Sequence, residues 1–221
     1  MDHDRRFVHG WPRTTVPGLQ LVMVKRPARL NELSPAERAQ HDQLATVQRQ
    51  VAWRRGRAAL KTLLHRLGEP LDTTRLSFPH PRLSLTHSGT HAVAVGVAHN
   101  LPLMGIGVDL EIQHTVLPEA ARFFLTEEEQ RWLARLAAGS RARELLRLWT
   151  IKEAVFKADV QNAGRLLADY QLAAPEARNG IALLTAAKDR RAFCYTSRTF
   201  KQGFLALAVR REKEGMPWPR N

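Results

Sequence analysis

The longest periodic apolar pattern in the chain lies between Arg141 and Gly164, a stretch with no intervening Gly or Pro. At about 100° per residue, Leu145, Leu148, Trp149, Ile151, Val155 and Phe156 gather into one stripe, which predicts a helix ended by Gly164. Lys152 falls inside that stripe, where a charge is normally unwelcome. Glu153 and Lys157 share its edge at helical spacing. Upstream, Ser34-Pro-Ala-Glu37 combines an N-cap serine, a first-turn proline and a capping-box glutamate. The helical region that follows runs to about Leu67, breaks near Val47, and is closed by Gly68 and Pro70. Val51, Leu60, Leu63, Leu64 and Leu67 form its buried face, with Arg54, Arg55, Arg57 and Lys61 as a cationic cluster alongside. A second capping box, Thr126-Glu-Glu-Glu129, opens a helix through about Leu136.

Strand patterns occupy Leu19–Val24, Leu83–Thr86, Ala92–Ala98, Met104–Ile112, Ile181–Leu184, Ala192–Thr196 and Phe204–Val209. Phe78-Pro-His-Pro-Arg82 reads as a stiff connector, Asn100–Pro102 as a turn, and residues 1–18 as an irregular arm. Each half thus runs strand, capped helix, longer helix, strands, without any repeat of residue identity. The expectation is an α+β fold of two similar lobes in pseudo-twofold arrangement, each a small sheet packed on helices. The lobes are expected at 1–102 and 103–211, with a mobile tail at 212–221.

Charge changes the picture more than composition does. Among 221 residues, 34 Lys and Arg stand against 21 Asp and Glu, a formal charge of +13. Such an excess favours polyanionic partners: nucleic acid, an anionic membrane, a phosphate-rich small molecule or an acidic protein. Cys194 is the one cysteine, which excludes an intramolecular disulfide and a Cys-rich zinc site. The polar, basic start has no apolar core of signal-peptide length, and no run is long enough to cross a bilayer. A cytoplasmic protein is the simplest inference.

Asp109 and Glu111 alternate with Ile106, Val108, Leu110 and Ile112, so both carboxylates leave one face of a strand and the apolar set leaves the other. Either that face is solvated, or a cation joins the two charges, and hard carboxylate oxygens suit Mg²⁺ or Mn²⁺. Gly105 and Gly107 just before them imply a bulge or a close backbone approach. His87, in Ser84-Leu-Thr-His-Ser-Gly89, stands where a strand meets a glycine turn; it is placed either to donate to a phosphate or simply to shape the turn. The cluster Arg54–Lys61 suits phosphate, an acidic partner or plain solvation. No phosphate-binding loop of the Gly-x-x-x-x-Gly-Lys-Ser/Thr type and no dinucleotide fingerprint is present, and Cys194 reads as a small core residue.

Together, Gly105-Ile-Gly-Val-Asp-Leu-Glu111 and Trp149-Thr-Ile-Lys-Glu-Ala-Val-Phe-Lys157 resemble the two signatures of the 4′-phosphopantetheinyl transferase superfamily. Thr86-His-Ser-Gly89 is similar to its Ser-His-Ser-Gly element, and the Ser-Pro-x-Glu helix followed by an Arg-rich helix resembles the long, surfactin-synthetase-activating type. The resemblance spans roughly residues 30–170. It implies transfer of the 4′-phosphopantetheine arm of coenzyme A to a serine of an apo acyl or peptidyl carrier protein, releasing adenosine 3′,5′-bisphosphate. By the same resemblance Asp109, Glu111 and Glu153 hold Mg²⁺, with Mn²⁺ as the alternative, and Glu153 is the candidate base. His87 and Lys157 grip the pyrophosphate, Thr86 belongs to the coenzyme A site, Lys152 adds charge near the leaving group, and Arg54, Arg55 and Arg57 serve the 3′-phosphate. The sequence departs from the family at its Gly-Lys-Pro element, where Phe-Pro-His-Pro-Arg leaves His80 or Arg82 as replacements. The implied protein is a cytoplasmic monomer that acts on an acidic carrier, with no membrane and no specific nucleic acid. A basic nucleic-acid-binding protein and an inactive carrier-binding homologue are the alternatives.

Overall fold

The computed structural model describes residues 18–98, 103–112, 115–184 and 191–211. The N-terminal arm up to residue 17, the Asn100–Pro102 turn and the tail at 212–221 lie outside them.

Two antiparallel sheets form the centre of the molecule. The first has the order β1 (Gln20–Val24), β3 (His91–Gly96), β2 (Leu83–Ser88). The second has the order β4 (Leu103–Glu111), β8 (Gly203–Arg211), β7 (Arg191–Phe200), β6 (Asn179–Leu184), β5 (Tyr170–Leu172). The change of sheet falls between Gly96 and Leu103. The helices among the described residues are α1 (Pro35–Asp42), α2 (Val47–Leu67), α3 (Ala121–Phe124), α4 (Glu127–Arg135) and α5 (Ala138–Ala158).

The apolar alternation explains the layering. Val93, Val95 and Val97 point from the first sheet into a core shared with Ile106, Val108, Leu110, Leu205, Leu207 and Val209 of the second. Each such side chain contributes roughly 1.5–3 kcal/mol relative to exposure, so this shared core joins the lobes face to face. The intervening positions point outward: Ala92 and Ala94 meet Leu60 and Leu63 of α2. In the second lobe Phe204, Ala206 and Ala208 meet Leu148, Ile151 and Val155 of α5. The order is therefore helix, sheet, sheet, helix.

The two lobes repeat one plan. Strands β1-β3-β2 match β4-β8-β7 in order and direction, and each opening strand leads to a short capped helix and then a 21-residue helix. The capping boxes form as read: Ser34 with Glu37 starts α1, and Thr126 with Glu129 starts α4. The repetition extends to a buried ion pair. Glu37 binds Lys61 at 2.6 Å and Glu129 binds Lys152 at 2.7 Å, and each lysine is the fifteenth residue of its long helix.

The helix boundaries follow the sequence pattern in part. The break near Val47 is real, with Thr46 capping the new helix through the Arg49 amide. The helix expected to reach Gly164 ends at Ala158, and Gly164 serves a later turn with φ of 76°. Beyond the helix end, buried Asp159 accepts from Tyr170 Oη at 2.9 Å and from Arg191 Nη1 at 2.7 Å. These distant partners hold the chain in a path that the helical period could not announce. Strand β5 was not anticipated; three residues are too few for a periodic signal.

Candidate active site

Glycine sets the geometry at which α5 meets β4. A Cβ on Gly105 would lie 1.8 Å from the Ala158 carbonyl oxygen, and one on Gly107 would lie 1.9 Å from that of Ala154. Backbone therefore packs on backbone, as the paired glycines imply, and a register irregularity between Leu103 and Gly105 completes the feature. The odd positions of β4 face α5, so Asp109 emerges beside the helix where Glu153 and Lys157 emerge one turn apart. Lys157 Nζ lies 2.6 Å from Asp109 Oδ1 and 3.7 Å from Glu153 Oε2.

The other wall is β2, whose side chains run along β4 without a backbone ladder. Ser84 Oγ accepts from Val108 N at 3.0 Å, Thr86 Oγ1 donates to Asp109 Oδ1 at 3.0 Å, and Ser88 Oγ accepts from Ile112 N at 3.0 Å. Three hydroxyls at strand period therefore fasten the first sheet's edge to the second's. The sequence shows the signal, Ser-x-Thr-x-Ser, but sequence reasoning singled out only Thr86 and His87. Glu111 is held from both sides, Trp149 Nε1 donating to Oε1 at 3.3 Å and Ser88 Oγ to Oε2 at 3.4 Å. Phe124 sets the Trp149 ring by an edge contact with centroids 5.0 Å apart. The tryptophan of the motif is thus a support for Glu111, a role sequence reasoning missed.

Electrostatics follow from this crowding. Withdrawal from water raises the Glu153 pKa, Lys157 opposes the rise, and the Asp109 and Glu111 charges add to it. His87 is exposed at the end of β2. Partial loss of water around its ring lowers its pKa, helped by the Lys157 and Arg55 charges. Asp109 is 4% exposed, and its Oδ2 has no hydrogen-bond partner among the described residues. No group of three or more His, Cys, Asp or Glu side chains is drawn together so as to hold an ion among the described residues. Asp109 and Glu153 instead meet on the Lys157 ammonium.

Lys152 requires a correction. It was expected beside a leaving group, but it is 0% exposed and faces the C-terminal core, about 140° around α5 from Lys157. It pairs with Glu129 Oε2 at 2.7 Å and donates to the Tyr170 carbonyl. Burial lowers its pKa and the Glu129 carboxylate offsets this. The stripe keeps a lysine because the core offers it a fixed anion, not because the stripe opens to a ligand.

The arginines divide. Arg55 Nε donates to Lys25 O at 2.8 Å and Nη1 to Gly89 O at 3.3 Å, which puts it beside the His87 turn. Arg54 Nη1 donates to Ala28 O at 3.2 Å, and Arg57 Nη1 to Thr73 O at 3.3 Å while its guanidinium lies over Trp53. Those two brace loops of their own lobe. His80 and Arg82 line a cavity of about 230 Å³ with Glu69, Asp72 and Arg75, apart from Asp109.

The placement of paired carboxylates on a Gly-x-Gly strand against a Lys-Glu-x-x-x-Lys helix now has a counterpart among known proteins. Residues 105–209 match the family model of the 4′-phosphopantetheinyl transferase superfamily. The match runs from β4 to β8 and takes in Asp109, Glu111, Glu153 and Lys157. Thr86, His87 and Arg55 lie outside it, on the first lobe. The superfamily transfers phosphopantetheine from coenzyme A to carrier proteins. No curated protein matches the chain as a relative.

Proposed function

We propose that this protein is a Mg²⁺-dependent 4′-phosphopantetheinyl transferase of the long, surfactin-synthetase-activating type, acting on the serine of an acidic apo acyl or peptidyl carrier protein. One observation carries the reading. Asp109 of the superfamily-matching region is bonded at once to Lys157 of the signature helix and to Thr86 of the other lobe, so both halves of the chain build one site.

The donor chemistry suits a hard divalent ion, while the carboxylates stand apart, Asp109 and Glu153 meeting on the Lys157 ammonium. Asp109 retains a buried, unpartnered oxygen, and the repulsion felt by Glu153 from Asp109 and Glu111 is what a shared cation relieves. Asp109, Glu111 and Glu153 would hold Mg²⁺, or Mn²⁺ in its place. When bound, the ion supplies positive charge against the pyrophosphate of coenzyme A.

The remaining work falls to the side chains. His87 and Lys157 bind pyrophosphate oxygens, and Arg55 adds charge at the same turn, where the 3′-phosphate is its natural ligand. Glu153 takes the proton from the serine hydroxyl. The serine oxygen bonds to the phosphorus bearing pantetheine while the bond from that phosphorus to the bridging oxygen breaks. Adenosine 3′,5′-bisphosphate leaves with the electron pair. We place this monomeric enzyme in the cytoplasm; no helix of the described residues is long and apolar enough to cross a membrane.

The test is mass spectrometry of apo carriers incubated with the protein, coenzyme A and Mg²⁺. One serine should gain the phosphopantetheine mass. Absence of any gain across several acyl and peptidyl carriers overturns the reading, and firm carrier binding in that case identifies an inactive homologue.

A further inference from the structure

Lys157 is a cation already inside the carboxylate cluster. The ordinary partner of a helix lysine is the glutamate one turn before it. Lys157 has that partner in Glu153 at 3.7 Å, yet its shorter contact, 2.6 Å, is to Asp109 on β4. An ammonium offers three donors and no acceptor, and a charge-assisted contact of this length is the strong kind. The oxygen it grips, Asp109 Oδ1, also takes the Thr86 hydroxyl, while Oδ2 is buried without a partner among the described residues. The Lys157 side chain is 30% exposed, so the ammonium has a way out to solvent that Asp109, at 5%, does not.

We propose that Lys157 is the resident cation of the metal-free protein and that it yields Asp109 and Glu153 when a divalent ion binds. Mg²⁺ takes carboxylate oxygens at about 2.0–2.1 Å, and an ion on either oxygen of Asp109 would stand within a few ångströms of an ammonium held on Oδ1, where two cations repel strongly. The ammonium therefore swings outward along its exposed side. There it faces the turn carrying His87, whose pKa already registers the Lys157 charge. Release converts a lysine that neutralises carboxylates into one that receives phosphate. It follows that divalent-ion binding and coenzyme A binding favour each other, because each prefers the same outward lysine, and the linkage must be reciprocal.

This inference rests on the reading of Asp109, Glu111 and Glu153 as ligands, and the experiment separates the two. Free Mn²⁺ is followed by electron paramagnetic resonance in titrations of the wild type, Lys157→Met and Asp109→Asn, without coenzyme A. Lys157→Met should bind Mn²⁺ about tenfold more tightly, the scale of one close charge contact, and Asp109→Asn at least tenfold more weakly. In the wild type, brief acetylation with peptide mass readout should label Lys157 slowly in chelator and faster with Mg²⁺; this arm needs no variant to fold. Mn²⁺ binding unaffected by Asp109→Asn overturns the ligand reading and the inference with it. Loss of binding in Asp109→Asn, combined with unchanged or weaker binding in Lys157→Met or with labelling indifferent to the ion, overturns the inference alone.

Discussion

Glu153 is 25% exposed and stands beside Asp109 and Glu111; burial and these two neighbours raise its pKa above 4.5, with Lys157 pulling the other way. A carboxyl whose folded pKa exceeds its unfolded value contributes stability that is fully present below the unfolded pKa. That contribution is lost as pH rises through the folded value. At pH 7.5 in chelator, ionised Glu153 therefore weakens the fold. Glu153→Gln should raise the melting temperature there by roughly 2–4 °C, the shift made by about 1 kcal/mol in a domain of this size, and the gain should shrink toward pH 4. Transfer by the same variant should fall about 10²–10⁴-fold, the range for a lost general base. Thermal melts at the two pH values and the carrier mass assay read both effects. A variant that melts at the wild-type temperature and still transfers at the wild-type rate would remove Glu153 from the site.

At the scale of elements, the long helices are locked by the pairs Glu37–Lys61 and Glu129–Lys152, one in each lobe. The second is the more buried, with side chains 1% and 0% exposed, against 20% exposure for Lys61. Removing one partner of such a pair strands a buried charge at a cost of about 3–5 kcal/mol, while removing both together costs far less. Lys152→Met should thus lower stability in urea by that amount, and Lys152→Met with Glu129→Gln should recover most of it. Coenzyme A affinity should be unchanged in the folded fraction. A variant stable in urea but unable to bind coenzyme A would return Lys152 to the ligand site. The capping boxes of α1 and α4 and the alternation of β3 and β4 were legible in the sequence because those signals are local. The shared face of Asp109 and Glu111 was legible for the same reason, and the glycines before it announced the close approach of α5. The destination of Lys152 was not, because its partner Glu129 belongs to another helix. The end of α5 was not either, since Asp159 is held by Tyr170 and Arg191 from two later strands. The hydroxyls of Ser84 and Ser88 look like ordinary strand residues until β4 is seen beside β2.

Across the whole molecule, the charge of +13 extends well beyond the site, where Lys157 contacts Asp109 and Arg55 stands at the neighbouring Gly89 turn. Much of the rest braces the fold: Arg54, Arg57, Arg66 and Arg147 all donate to backbone carbonyls. The surplus left to solvent sets a positive field around the protein, and such a field acts on the rate of encounter more than on the chemical step. With an acidic carrier as substrate, kcat/KM should fall about tenfold or more between 50 and 500 mM salt, as screening shortens the field from about 14 Å to about 4 Å. The turnover number should hardly move, because the Asp109–Lys157–Glu153 contacts are short and partly buried and are screened much less. Steady-state kinetics over a salt series, with Mg²⁺ held saturating, separates the two constants. A fall in kcat with constant kcat/KM would place the salt-sensitive charges inside the site instead of on the approach to it. Binding to DNA or RNA should vanish over the same series without sequence preference, since a solvated basic surface with no stacking or base-reading module binds through counterion release alone. Sequence-selective binding that survives 500 mM salt would instead favour a nucleic-acid partner, and the surplus charge would then have a second use.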